Sequence, residues 1–171
     1  MHITLVRPTL AQKDAALAFK QEFLDYGETV INGSELLDQT DCFEDWLRAV
    51  TDNTSDETVN PEWVVTDTFF ALDDAENIVG IIDLRHTLKG FLVDFGNCGY
   101  SVRPTARRNG YATEMLRQLL GIAKNAGLDH LQLSVERDNE PSVKTIVKNG
   151  GVYARSFDFN GEQADVYLIK L

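Results

Sequence analysis

The segment Val102-Arg103-Pro104-Thr105-Ala106-Arg107-Arg108-Asn109-Gly110-Tyr111-Ala112-Thr113 joins a strand end, a proline, a basic turn and the start of a helix. Amides that open a helix have no intrahelical acceptor and sit at the positive end of its dipole, so the arrangement suits an oxyanion such as a phosphate. Gly110 and Ala112 carry little side chain and would let a diphosphate approach the backbone, with Arg103, Arg107 and Arg108 adding positive charge. From spacing alone the segment reads equally well as a plain strand-to-helix turn with solvated arginines. His86 carries an imidazole, the side chain suited to a base near neutral pH, or is simply a polar residue near a strand end. Asp83 and Glu136, on strands, could orient or deprotonate an amine, or could partner an arginine. Ser142 has no His/Asp partner in a triad-like pattern, so no covalent intermediate is assigned to it.

These residues need elements to position them. Ile3–Val6 alternates as a strand, and Thr9 with Gln12 resembles a capping box for a helix reaching Tyr26, where Gly27 ends it. A second such pair, Asp41 with Glu44, opens a shorter helix whose apolar stripe is Phe43, Trp46, Leu47 and Val50. Residues 27–39 form the intervening loop, and the polar stretch 52–61 reads as an exposed connection. Trp63–Leu72 and Ile78–Arg85 predict a β-meander, followed by a strand over Cys98–Val102 that stops at Pro104. From Tyr111 the apolar positions Ala112, Met115, Leu116, Leu119, Leu120, Ala123 and Ala126 follow helical spacing up to Gly127. His130–Val135 predicts a strand and Pro141–Lys148 a short helix. Val152–Phe159 and Gln163–Leu171 flank Asn160-Gly161, a strong hairpin signal.

Composition sets the frame. A chain of 171 residues, 43% hydrophobic and 25% charged, predicts one domain over residues 1–171 with a substantial core. The net charge of −11 argues against a nucleic-acid binder, and no apolar run suits a membrane span or a signal peptide, so a cytoplasmic setting is expected. Cys42 and Cys98 belong to no metal cluster and read as buried thiols. Charge is unevenly divided: residues 1–75 hold 4 basic and 16 acidic side chains, residues 76–171 hold 12 and 11. An acidic half can concentrate a cationic ligand, and it can equally be solvated surface. No GxxxxGK[ST] and no strand-borne GxGxxG occurs, which disfavours P-loop and Rossmann enzymes.

Arg107-x-x-Gly110-x-Ala112 after Val102-x-Pro104 resembles the acetyl-CoA signature of the GCN5-related N-acetyltransferase (GNAT) superfamily. Asn139-x-x-Ser142 followed by Gly150 is similar to the family's second segment at its usual spacing. More narrowly, Asp83-Leu84-Arg85-His86, Gly99–Pro104 and Lys148–Val152 resemble a predicted-acetyltransferase subfamily. The resemblance implies an α/β (α+β) fold: a mixed, mostly antiparallel central sheet, splayed between Cys98–Val102 and His130–Val135 and flanked by about four helices. It implies acetyl-CoA as co-substrate, with pantetheine on the main chain of Tyr100 and Val102. The remaining cofactor contacts would come from Arg107, Arg108, Asn109, Gly110, Tyr111, Ala112, Thr113, Asn139 and Ser142, with no metal.

The implied reaction is direct attack by a neutral amine, the carbonyl oxygen meeting the Tyr100 amide, with His86 as the candidate base. The family's usual tyrosine position is Ile146 here, so Tyr100, Tyr153 or solvent would have to serve as acid. A small cationic amine is the expected acceptor, with Tyr26 and Trp46 as candidate contacts, and a homodimer is common in the superfamily. The alternatives are a catalytically silent acyl-CoA-binding module and a transferase of longer acyl groups.

Overall fold

The computed structural model describes residues 1–171. Strand β1 (Thr4–Val6) leads through a single 3-10 turn, Leu10–Gln12, into α1 (Lys13–Asp25), and α2 spans Phe43–Asp52. Then follow β2 (Thr66–Leu72), β3 (Ile78–Arg85), a short α3 (Leu92–Phe95) and β4 (Tyr100–Val102). The chain closes with α4 (Tyr111–Asn125), β5 (His130–Glu136), α5 (Glu140–Lys148), β6 (Val152–Phe159) and β7 (Glu162–Lys170). The strands make two sheets with antiparallel ladders, ordered β1-β2-β3-β4 and β5-β7-β6.

Periodicity explains the helices. In α1, Ala16, Phe19 and Phe23 recur on one face and are buried, and in α4 Met115, Leu116, Leu119 and Ala123 do the same. Each such Phe, Met or Leu side chain contributes about 1.5–3 kcal/mol by leaving water. The face of α4 packs with β5 and one side of the first sheet through Ile82, Leu84, Leu131 and Leu133. Helices α1 and α2 cover the other side, where Phe19, Phe23 and Trp46 meet Phe70 and Ile81. With both faces covered, β2 and β3 are buried almost throughout rather than alternating. The Asn160-Gly161 turn joins β6 to β7 with both residues at positive φ, the conformation a two-residue hairpin requires.

Several boundaries differ from the sequence expectation. The second helix begins at Phe43 with Cys42, not Asp41, as its N-cap, and Glu44 pairs instead with Lys13 at 2.6 Å. Cys42 is exposed, and only Cys98 is a buried thiol. Trp63 lies before the strand, which starts at Thr66. The polar stretch 52–61 is tied down: Asn53 O accepts from Thr66 N at 2.8 Å, and Asn53 Oδ1 accepts from Asn60 N at 3.2 Å. Helix α3 had no sequence expectation, because a single turn leaves no periodicity to detect.

The two sheets meet at one place. Gly96 bridges Leu133, and beyond that point β4 and β5 diverge without pairing. Asn97, 4% exposed, makes the junction: its amide donates to Gln132 O at 2.7 Å, its Oδ1 accepts from Gln132 N at 2.9 Å, and its Nδ2 donates to Arg85 O at 2.9 Å. A side-chain amide thus stands in for a ladder pair, and the strands open into a wedge beyond it.

Candidate active site

The wedge is the floor of a cleft of about 1150 Å³. One wall is the edge of β4 (Tyr100, Ser101, Val102) and another is the edge of β5 (Leu133, Ser134, Val135). At one end stands the turn from Ala106 to Thr113, with Asn139, Ser142, Lys144 and Lys148 of the α5 segment. At the other are the α1–α2 loop at Val30, Asn32 and Gly33, then Arg85, Phe91, Phe95 and Phe159.

At the first end, no backbone amide from Arg108 through Thr113 donates a hydrogen bond within the protein, and the next donor along the chain, Glu114 N, reaches Gly110 O at 3.1 Å. Two left-handed residues create this run: Arg108 at φ 63° and Gly110 at φ 81°. Such a conformation costs a residue with a Cβ about 1–2 kcal/mol, and glycine tolerates it. Asn109 lies off the cleft wall and braces the turn, its Nδ2 donating to Ala106 O at 3.1 Å and Arg107 O at 3.2 Å.

The arginine cluster is mostly engaged. Arg103 binds Glu22, with Nη2 to Oε2 at 2.6 Å, and Arg107 grips Glu28 through both Nη atoms at 2.7 and 2.6 Å. Arg107 Nε also donates to Val102 O at 3.1 Å, occupying a carbonyl on the wedge edge. Glu22 further accepts from Thr105 N at 2.8 Å and Thr105 Oγ1 at 2.7 Å, so α1 and its loop hold the basic turn in place. Both carboxyls are drawn below their usual range by these partners. Arg108 makes no side-chain bond, and Lys148 and Lys144, the latter 4.0 Å from Glu140, line the cleft as further cations.

Inside the wedge, Tyr100 reaches across to α5, its hydroxyl 2.6 Å from Ser142 Oγ. Burial raises this phenol well above its ordinary value, so it is a neutral hydroxyl at physiological pH. Ser142 N donates to Asn139 Oδ1 at 3.3 Å, which makes Asn139 the N-cap of α5. Ile146 is 1% exposed and part of the core. Tyr153 is exposed and bonds Ser156 Oγ at 2.7 Å, away from the cleft lining. Glu136 lines the cleft at the far end of β5.

His86 is not brought to the cleft. Its Nε2 lies 2.6 Å from Asp67 Oδ2, and Asp67 Oδ1 holds Arg7 at 2.7 Å, a cluster at the start of β2 that has no access to the wedge. Trp46, 1% exposed, faces the core, its Nε1 donating to Ser34 O at 2.8 Å and Glu35 O at 3.1 Å. Tyr26 is exposed and off the cleft.

What the α1–α2 loop brings instead is Glu35. Gly33 lies so close to Gly99 that a Cβ there would be 2.2 Å from Gly99 O, and this contact lets Glu35 reach the buried carboxyl of Asp83. Burial, then hydrogen bonding and repulsion from Asp83, push Glu35 up to about 9. Asp83, 0% exposed, accepts from Gly99 N at 2.6 Å through Oδ1, while its Oδ2 faces Arg85 Nη1 at 3.3 Å. Glu35 and Leu36, at φ 51° and 70°, are both left-handed, and such conformations persist only where surrounding structure holds them. Nothing in sequence spacing flags Glu35, since its partner is distant in the chain.

A model of the acetyltransferase (GNAT) domain family matches residues 2–152. Among solved structures, RimL, a ribosomal L7/L12 alpha-N-protein acetyltransferase in complex with coenzyme A, superposes with TM-score 0.71 at 12% identity, covering 99% of this chain and 94% of that one. A spermidine N-acetyltransferase chimera of Vibrio cholerae SpeG and hSSAT gives 0.68 at 13% identity, covering 99% and 96%. The GNAT domain of S. lividans PAT gives 0.62 at 14%, covering 99% and 89%. At these identities the likeness is one of fold. No curated protein sequence matches this chain at a significant level.

Proposed function

The chain belongs to the GNAT acetyltransferase family, and on that premise we propose that it moves the acetyl group of acetyl-CoA to the amine of a small acceptor by direct attack. The observation that carries this reading is the run of unengaged amides from Arg108 to Thr113 at one end of an unpaired strand wedge. The first suits a diphosphate, and the second suits an extended arm that completes the sheet as an added strand. Bound acetyl-CoA would supply an activated thioester carbonyl.

In this reading Gly110, Tyr111, Ala112 and Thr113 bind the diphosphate through their amides, and Arg108, Lys144 and Lys148 neutralise it. Arg107 shapes the turn through Glu28 and Val102 O. The Tyr100 amide receives the charge growing on the carbonyl oxygen. The Tyr100 hydroxyl, held by Ser142, delivers a proton to the departing thiolate, the task Ile146 cannot perform. Asn139 positions the α5 turn that carries Ser142. His86 has no part in the reaction, because Asp67 and Arg7 engage it elsewhere. The acceptor enters beside the α1–α2 loop, in the acidic half of the chain, which favours an amine that arrives as a cation; it loses one proton to water in the open cleft before attack, and the proton left on nitrogen after the adduct collapses restores the Tyr100 hydroxyl through water.

Calorimetric titration with coenzyme A, together with thiol-release assays on acetyl-CoA and an amine panel, tests the reading. Gly110→Val puts a β-branched residue at φ 81° and presses its Cβ toward the Met1 side chain, so the turn that carries the open amides must shift and coenzyme A affinity should fall about tenfold or more. The exposed Lys124→Ala should leave it unchanged. Equal affinities in the two variants refute this placement of the diphosphate, and binding without amine-dependent thiol release favours the silent module.

A further inference from the structure

We infer that Arg85 reads an anionic group on the acceptor, so that the preferred acceptor is a small amine that also bears a carboxylate or similar oxyanion. This rests on the acetyltransferase reading and specifies its substrate class.

Arg85 is the last residue of β3, on the side of the strand that Ile81 shares with α1 and α2, and its side chain is only 13% exposed. The cleft is where that exposure lies, beside Gly33 of the acceptor loop and the rings of Phe91 and Phe95. Of its N–H groups only Nε donates within the protein, to Gly96 O at 3.0 Å. Nη1 is 3.3 Å from Asp83 Oδ2 and makes no hydrogen bond to it, so the pairing is electrostatic rather than directional. A guanidinium fork fixed at its Nε, backed by a buried carboxyl and presenting unengaged Nη donors to a cleft, matches a planar oxyanion two bonds at a time.

The setting keeps this cation in place without satisfying it. Asp83 divides its bonding, with Oδ1 committed to Gly99 N, and Glu35 crowds the pair from the loop side. Nearly buried donors left open carry a desolvation cost, which a bound oxyanion relieves. At the same end of the cleft Phe91, Phe95 and Phe159 provide an apolar wall, and Glu162, paired with Phe159 across the β6–β7 hairpin, supplies an acidic group on the lining for a cationic amine. An acceptor with one charge of each sign fits both.

The test compares matched pairs of acceptors that differ by the carboxylate alone: phenylalanine with phenylethylamine, and ornithine with putrescine. An aminophosphonate alongside the amino acid distinguishes the two oxyanions. Wild-type protein should acetylate the carboxylate-bearing member with kcat/KM at least about tenfold higher, as losing a charge-assisted hydrogen bond implies. Arg85→Gln should abolish that preference, Arg85→Lys should retain part of it, and both should bind coenzyme A as wild type does. If Arg85→Gln unfolds, Arg85→Lys and the double change Asp83→Asn/Arg85→Gln carry the comparison. Equal or reversed preference in the wild type overturns the inference while leaving the acetyltransferase reading intact. An unchanged ratio in the variants, or a loss of coenzyme A affinity instead, overturns it too. Failure of the wild type to bind coenzyme A removes the reading beneath it.

Discussion

At the scale of single residues, the Glu35–Asp83 contact is the least expected feature of the molecule, since burying two carboxyls together costs free energy unless a proton is shared. Glu35 titrates near 9 in the fold against an ordinary 4.5, so the folded chain holds a proton that the unfolded chain releases. That contribution to stability is complete below about 4.5 and is lost as pH rises through about 9. Glutamine carries no such titration. The difference in Tm between Glu35→Gln and wild type should therefore move in favour of the variant by several degrees from pH 5 to pH 9, at about 2–4 °C per kcal/mol for a chain of this size. A flat difference across that range would show that Glu35 ionises freely and that the pair shares no proton.

Among the elements, the α1–α2 loop forms the end of the cleft proposed for the acceptor, and it is held by backbone contact rather than by a helix or strand. Gly33 meets Gly99, Ser101 Oγ donates to Asn32 O at 2.9 Å, and Trp46 clamps the carbonyls of Ser34 and Glu35. Gly33→Ala would drive a Cβ into Gly99 O from a residue at φ 74°, so the loop must lift off β4. The expected result is a loss of about 2–4 kcal/mol in stability and a rise in acceptor KM, with coenzyme A affinity little changed. Denaturant unfolding and parallel titrations measure both. A fall in coenzyme A affinity as large as the change in acceptor KM would mean that the loop shapes the whole cleft and not one end.

For the molecule as a whole, the central fact is that two sheets share one bridge and a single asparagine. Asn97→Ala removes two buried side-chain hydrogen bonds and leaves Gln132 N and Arg85 O without partners, a loss of about 2–4 kcal/mol. A ligand filling the wedge joins the sheets a second time. Coenzyme A at a hundred times its Kd adds about 2.7 kcal/mol to wild type. The Tm increment in Asn97→Ala, at equal multiples of its own Kd, should match the wild-type value, while Kd itself rises. An unchanged Kd would mean that the wedge angle does not depend on this junction.

The sequence by itself determined most of the fold, because helical periodicity in α4, the Asn160-Gly161 turn and the proline that stops β4 are local properties of neighbouring residues. It also marked the turn whose amides the fold leaves without partners, since Gly110 and its neighbours are consecutive in the chain. Tertiary structure alone decided which charged groups remain available. Arg103 and Arg107 are taken by Glu22 and Glu28, His86 by Asp67, and Arg85 is left facing the cleft with Glu35 and Asp83 behind it. Such pairings depend on distances between residues far apart in the chain, and a side chain's charge says nothing about its partner until folding has fixed those distances.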